Sequence, residues 1–191
     1  MNFSARSEAI ATAQAWIEKN PVYLDTETTG IGPHDNIVEI AVIDQGGNVL
    51  VDTLVKPMGK ISPEAMAVHQ ITDEMVASAQ RWGEVWPEIE AVLTNRVVGI
   101  YNADFDLRMM QQSHTRNWMQ WKNPAGMEVF CIMKLYAQFY GQWNARRGNY
   151  RWHSLDNARK HARIALPNSH RATDDTLLTR ALLNYMASQS I

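Results

Sequence analysis

Ile10, Ala13 and Ile17 fall at 0, +3 and +7 along the first stretch of the chain. This spacing predicts an amphipathic helix over 4–19, with Ser4 as its N-cap. Asn20-Pro21 ends it. The period then changes. Val22–Leu24 opens a buried strand over 22–27, which Pro21 can only start. Ile37–Ile43 is apolar except for Glu39, and Val49–Lys56 is a third strand candidate. Gln45-Gly46-Gly47-Asn48 between these two is a hairpin signal. The connection from 28 to 36, with Gly30, Gly32 and Pro33, suits another antiparallel step. Beyond it the pattern turns helical. Ser62-Pro63-Glu64 is a helix start, with Pro63 at the first helical position, and Thr72 suits the cap of a second short helix. Helices are predicted over 81–95, 104–121, 132–141, 153–162 and 171–188, with strands at 96–101 and 129–131. An antiparallel three-strand meander followed by alternating strands and helices implies an α/β fold. Its centre is a mixed five-stranded sheet flanked by helices. The 1–20 helix precedes a body that spans 21–191.

Composition narrows this little. Across 191 residues, 46% hydrophobic and 20% charged content predicts an ordinary folded domain rather than a disordered chain. The single cysteine, Cys131, excludes an intramolecular disulfide and a Cys-rich zinc site. No run approaches membrane-spanning length. Arg6, Glu8, Glu18 and Lys19 occupy the place where a secretory signal needs an apolar core, so the expected location is cytoplasmic. Net charge is only −2, but its distribution is uneven. Residues 1–95 hold 5 Lys/Arg against 14 Asp/Glu, and residues 96–191 hold 13 against 6. The basic excess is densest from Arg146 to Arg171, where Tyr150 and Trp152 lie among the cations and Tyr140 and Trp143 beside them. Such a stretch is either a track for an unpaired nucleic-acid strand or a solvated Arg-rich loop.

Asp25 and Glu27 are the most telling polar pair. Alternate residues of a strand share a face, so both point one way at the strand's C-terminal end. Like charges that close repel unless neutralised, and a divalent cation with oxygen ligands is the usual solution. The alternative is a polar strand end running into a Thr/Gly turn. Two further acidic segments open helices: Asn102-Ala103-Asp104-Phe105-Asp106 after the fourth strand, and His170-Arg171-Ala172-Thr173-Asp174-Asp175 before the last helix. Together they can place four carboxylates and a histidine around one crevice at the strand ends, where open α/β sheets bind ligands.

In these motifs the chain resembles the DEDD-type 3′→5′ exonuclease superfamily, in its histidine-containing branch. That branch includes polymerase proofreading subunits, RNase T and stand-alone single-strand exonucleases. Asp25-Thr26-Glu27-Thr28-Thr29-Gly30 matches the first motif, Asn102 to Asp106 the second, and His170 with Asp175 the third. Val68-His69-Gln70-Ile71-Thr72 and His153-Ser154-Leu155-Asp156 resemble the segments between them. The likeness covers roughly 21–188. It departs at Tyr101, where the family often has His, and at Gln70, where it usually has Gly.

The resemblance implies an RNase H-like fold and removal of nucleoside 5′-monophosphates from a single-stranded DNA or RNA 3′ end. It selects Asp106 over Asp104 and Asp175 over Asp174, which leaves Asp104 as a possible helix cap. Asp25, Glu27, Asp106 and Asp175 become metal carboxylates for two Mg²⁺ or Mn²⁺ ions, with Asp25 available to both. Two-metal sites activate water and stabilise the leaving oxygen, and an oxygen-only ligand set favours these ions over zinc. His170 becomes the general base, because an imidazole's ordinary pKa of about 6.5 suits proton abstraction near neutrality. Thr28, Thr29, Gly30, His69, Asn102 and Phe105 become contacts to the terminal nucleotide. Three of these have plain structural readings too: His69 as a helix C-terminal residue, Phe105 as core and Asn102 as a turn residue.

Two other activities fit the same parts: a non-catalytic module that binds nucleic-acid ends, and an RNase H-like endonuclease. A polymerase partner or a homodimer is compatible with the chain, and the lack of a long C-terminal extension points to a stand-alone enzyme. No membrane partner is expected. Glu39, His153 and Cys131 are read as structural, His34 and His114 as surface residues, and Trp82, Trp86, Trp118 and Trp121 as core or surface packing rather than a stacking platform.

Overall fold

The computed structural model describes residues 3–167 and 169–190. Its centre is a five-stranded sheet in the order β3-β2-β1-β4-β5. The strands are β1 (Val22–Thr28), β2 (Ile37–Asp44), β3 (Val49–Leu54), β4 (Val97–Ile100) and β5 (Glu128–Cys131). β1 pairs antiparallel with β2, and β2 with β3, while β4 runs parallel to β1 and β5 to β4. The meander and the alternation are therefore as expected. Asp44 accepts from Gly47 in the β2–β3 turn, and Gly47 takes a φ of +90° that a side chain would resist.

β1 is the centre of the topology. From it the chain steps to β2 on one side, and β4 later docks on the other. The C-terminal ends of β1 and β4 thus flank the point where strand order reverses, the favoured ligand crevice of such sheets. Register between β1 and β2 shifts between Glu27 and Thr28. A bulge there increases local twist and re-aims side chains, as bulges near active sites commonly do.

Helices cover both faces. On one, α1 (Phe3–Glu18), α6 (Ile132–Tyr140) and α8 (Ala172–Ala187) share a core with Tyr23 and Ile43. Ala9, Ile10 and Ala13 of α1 are fully buried in it, and Trp16 stacks on Phe130 at 4.5 Å. Ser4 sits inside α1 and donates to Glu8 at 3.1 Å, so it is not the N-cap that the sequence suggested. On the other face, α4 (Trp82–Leu93) and α5 (Ala103–Arg116) pack against Val22, Leu24 and Ile100. α2 (Pro63–His69) and α3 (Asp73–Val76) close one end, capped by Ser62 and Thr72 as expected. Gln70 ends α2 at a φ of +60°, a left-handed position that glycine fits without strain.

Two expectations fail here. α5 stops at Arg116 rather than 121, because Asn117 donates through its side chain to the Ser113 carbonyl and Trp118 turns left-handed. His114 is not a surface residue: it is 1% exposed, and the rings of Trp82, Trp86 and Trp121 surround it at centroid distances of 4.4 to 5.6 Å. The imidazole fills the α4–α5 interface, four residues after buried Met110 on one helix face. The hydrophobic periodicity also gives no sign of the small antiparallel pair β6 (Trp143–Asn144) and β7 (Asn149–Tyr150). After it comes α7 (Leu155–Ala162), capped by Ser154.

Candidate active site

Asp25 and Glu27 lie at the end of β1, and Asp175 lies in the first turn of α8. One carboxylate oxygen from each falls within 4.8 Å of the others. Asp106 arrives from the opposite face, in the first turn of α5, where Thr26 donates to its Oδ1 at 2.7 Å. The intervening strand residue thus orients the fourth acid. Asp25, Glu27, Asp106, Asp175 and His170 all line one cleft of about 370 Å³, together with Asn102 and Phe105.

Alternative acids are spoken for. Asp104 is exposed and pairs with Lys134 at 2.7 Å, so it does not cap α5. The residue at the N-cap position is Asn102, whose side chain makes no capping bond. Asp174 accepts from the Ser169 hydroxyl at 2.5 Å and stays out of the cleft.

Burial and mutual repulsion dominate the electrostatics. Desolvation, then the charges of Asp106, Glu27 and Asp175, hold Asp25 well above the carboxylate range. Burial, then Asp175 and Glu39, pushes Glu27 up to about 9. Asp106 and Asp175 are each raised to about 7, first by burial. A folded chain whose carboxylates bind protons more tightly than the unfolded chain loses stability as pH rises through those values. The metal-free protein should therefore melt highest near pH 5 and progressively lower toward pH 9. A divalent cation should flatten that slope. Thermal scans in EDTA and in Mg²⁺ across this range check it, and a Tm in EDTA that climbs with pH contradicts it. The donor set fits such an ion: all oxygen, anionic and mutually repelling.

Glu39 explains how α8 is aimed. It is 2% exposed, beside Glu27 in register on β2. Arg171 donates to both of its oxygens, from Nε at 3.0 and 3.1 Å and from a terminal nitrogen, and the Ala172 backbone N–H adds a bond at 2.9 Å. The pair fixes the start of α8, which carries His170 and Asp175 on either side. Breaking it leaves a buried charge beside the acidic cluster. Arg171→Ala should cost about 2–4 kcal/mol, the lower part of that range reflecting the half-exposed guanidinium. Urea titration measures it, and a change under about 0.5 kcal/mol refutes the anchoring role.

His170 sits on the rim, with its side chain 49% exposed and its Nδ1 3.9 Å from Asp175 Oδ2. The remaining sequence candidates lie farther back. Thr28 donates to the Gly30 carbonyl, Thr29 donates to Asp35, and a Cβ on Gly30 would meet the Asp35 carboxylate at 2.7 Å. This packed turn follows β1 but does not line the cleft. His69 is buried beneath it. Its Nδ1 accepts from the Ile71 N–H, which leaves Nε2–H to donate to the Thr28 carbonyl at 3.0 Å. Burial holds its pKa below the ordinary value, consistent with a neutral ring. Tyr101 enters the cleft wall and donates to the His153 carbonyl at 2.8 Å, and Ser154 and Asp156 complete that wall.

The exonuclease family RNase_T matches residues 22–183. The uncharacterized exonuclease CP81 of Escherichia phage 186 is 35% identical over 182 residues, with 92% of each chain covered. The DNA polymerase III PolC-type of Thermotoga maritima is 30% identical over 83% of this chain, but this chain spans only 11% of that protein. Among solved structures, exonuclease X in complex with 5′ overhanging duplex DNA superposes with a TM-score of 0.64 at 29% identity. That match covers 88% of this chain and 92% of the other. A fold and a cleft of this kind define a nuclease of the RNase H-like class. The chain belongs to the RNase_T exonuclease family, among the DEDD exonucleases. No helix among the described residues is long and apolar enough to cross a membrane.

Proposed function

We propose that this protein is a 3′→5′ exonuclease that releases nucleoside 5′-monophosphates from single-stranded DNA ends, with Mg²⁺ or Mn²⁺ held by Asp25, Glu27, Asp106 and Asp175. The observation that carries this reading is the convergence of four carboxylates and His170 on one cleft at the topological switch point. The names of its relatives, an exonuclease and polymerase III chains, favour DNA over RNA. Two divalent cations in such a site supply charge stabilisation for the phosphoryl oxygens and lower the cost of forming the nucleophile.

The chain's own groups account for the rest. Water attacks the terminal phosphorus, its proton passes to Nε2 of His170, and the bond to the preceding nucleotide's 3′-oxygen breaks. With Nδ1 3.9 Å from Asp175 and the ring half-exposed, Nε2 is left as the nitrogen to accept the proton. Phe105, at the cleft wall and half-buried, offers a face for the terminal base, and Asn102 offers its amide. The turn from Thr28 to Gly30, tied to His69 through the Thr28 carbonyl, steadies the end of the strand that carries Asp25 and Glu27.

Incubation of 5′-labelled DNA and RNA oligomers with Mg²⁺ or Mn²⁺ tests this. Stepwise shortening from the 3′ end is expected, faster on DNA. Cuts within a circular single strand point instead to an endonuclease. Retained binding with no shortening points to a non-catalytic end-binding module.

A further inference from the structure

Two divalent cations can at most neutralise the cleft's four carboxylates, so the site offers little net attraction along the length of a polyanionic substrate. Attraction has to come from elsewhere on a chain whose net charge is −2. Much of the basic segment is already committed: Arg171 to Glu39, and both Arg159 and Lys160 to Asp156. Among the described residues Arg146, Arg147 and Arg151 form no ion pair. All three lie on or beside the β6–β7 hairpin and are exposed.

The hairpin is built to present them. Asn144 Oδ1 accepts from the backbone N–H of Arg146 at 3.1 Å and of Arg147 at 3.3 Å, and Gly148 closes the turn at a φ of +62°. Backbone and Asn144 make the turn, so neither arginine side chain is needed to fold it. At the base, the Arg151 N–H donates to the Gln142 carbonyl at 2.8 Å. Trp143 packs edge-on against Tyr150 at 5.1 Å and is still 57% exposed, while Trp152 is 49% exposed. Exposed tryptophans beside unpaired arginines, around a concavity of about 780 Å³, are an unpartnered surface. From Arg151 the chain reaches Ser154, in the wall of the catalytic cleft, within about 10 Å of extended backbone.

We propose that the β6–β7 hairpin is an arm that grips single-stranded nucleic acid as it leaves the cleft. Its arginines pair with backbone phosphates, and Trp143 and Trp152 stack on bases a few nucleotides from the 3′ end. The proposal rests on the exonuclease reading for its location. Its chemistry needs no metal, so it is testable apart from catalysis. Aromatic stacking works on any unpaired base and fails on a duplex. The arm therefore sets a preference for long single strands over dinucleotides and over duplex.

The test uses the full chain in EDTA with 5′-fluorescent dT20 and U20 strands and a blunt duplex, read by anisotropy at several salt concentrations. Single strands should bind more tightly than duplex. An Arg146→Ala, Arg147→Ala, Arg151→Ala variant should bind dT20 at least about 10-fold more weakly, with its log–log salt slope shallower by about 2, at 0.7 per lost contact. Trp152→Ala should weaken binding about 5- to 100-fold with thermal melting unchanged. With Mg²⁺, the triple variant should lose at least about 10-fold in its kcat/KM preference for a 20-mer over a dinucleotide. Equal dT20 binding by wild type and both variants overturns the arm. So does a duplex affinity that matches the single strand, or a length preference left intact in the triple variant where the wild type digests DNA. Binding in EDTA without digestion in Mg²⁺ sinks the exonuclease reading and leaves the arm standing. U20 bound as tightly as dT20 supports a grip by stacking and charge that ignores the sugar.

Discussion

Asp25→Asn should lower turnover by on the order of 10³ or more, yet raise the melting temperature of the metal-free protein. Asp25 is part-buried at the centre of the acidic group, and desolvation, then the charges of Asp106, Glu27, Asp175 and Glu39, raise its pKa. Its amide has nearly the same shape and carries no charge, so repulsion across the cleft falls. The fold gains stability where the function loses it, the usual trade at a strained site. The rate loss follows from charge stabilisation worth several kcal/mol in metal-assisted hydrolysis. At 1.36 kcal/mol per tenfold change, three decades correspond to about 4 kcal/mol. The measurements are single-turnover digestion of a 5′-labelled oligomer in Mg²⁺ and a thermal scan in EDTA. Activity within tenfold of wild type overturns the assignment of Asp25 to the ion site. A lower Tm in EDTA overturns the electrostatic account and leaves the catalytic one standing. The gain should shrink when the scan is repeated near pH 5, where the wild-type cluster is already largely protonated.

The same acids show what the sequence could and could not convey. Asp25 and Glu27 were legible because strand periodicity is local: residues two apart share a face, whatever follows. The sheet was legible for a similar reason, since hairpin signals and alternating elements leave few topologies open. Long-range pairing leaves no such trace. Glu39 clearly needed a partner, but Arg171 stands 132 residues away and looked like part of a basic surface. His114 was misplaced because a histidine on a polar helix resembles a surface residue. Only the three indoles that the fold brings around it make burial tolerable. The β6–β7 pair has strands of two residues each, too short to show a period of two. Its signal lay instead in Asn144 and Gly148, the two residues that make the turn.

His170→Asn should lower kcat by about 10²–10⁴, the range for loss of a positioned acid–base group, while KM stays within a few-fold. His170 has a φ of +53°, in the left-handed region that asparagine, like histidine, enters more readily than most residues. The variant therefore keeps the backbone turn into α8 and removes only the proton acceptor. That distinction matters because the neighbouring Arg171 and Ala172 anchor the helix through Glu39, so a bulkier or β-branched replacement would disturb Asp175 as well. At 3.9 Å, Nδ1 is too far from Asp175 for a hydrogen bond, and the half-exposed ring is not locked in place. A rim residue in this state can reach the attacking water once substrate fills the cleft, and catalytic contacts commonly tighten only in that complex. The pH–rate profile separates this role from a structural one. In wild type, kcat/KM should rise with pH through the titration of the base. In His170→Asn that limb should vanish, with metal-induced stabilisation of the fold retained. A profile of unchanged shape in the variant, or a loss smaller than tenfold, removes His170 from the proton path and leaves the carboxylate cluster to account for the reaction alone.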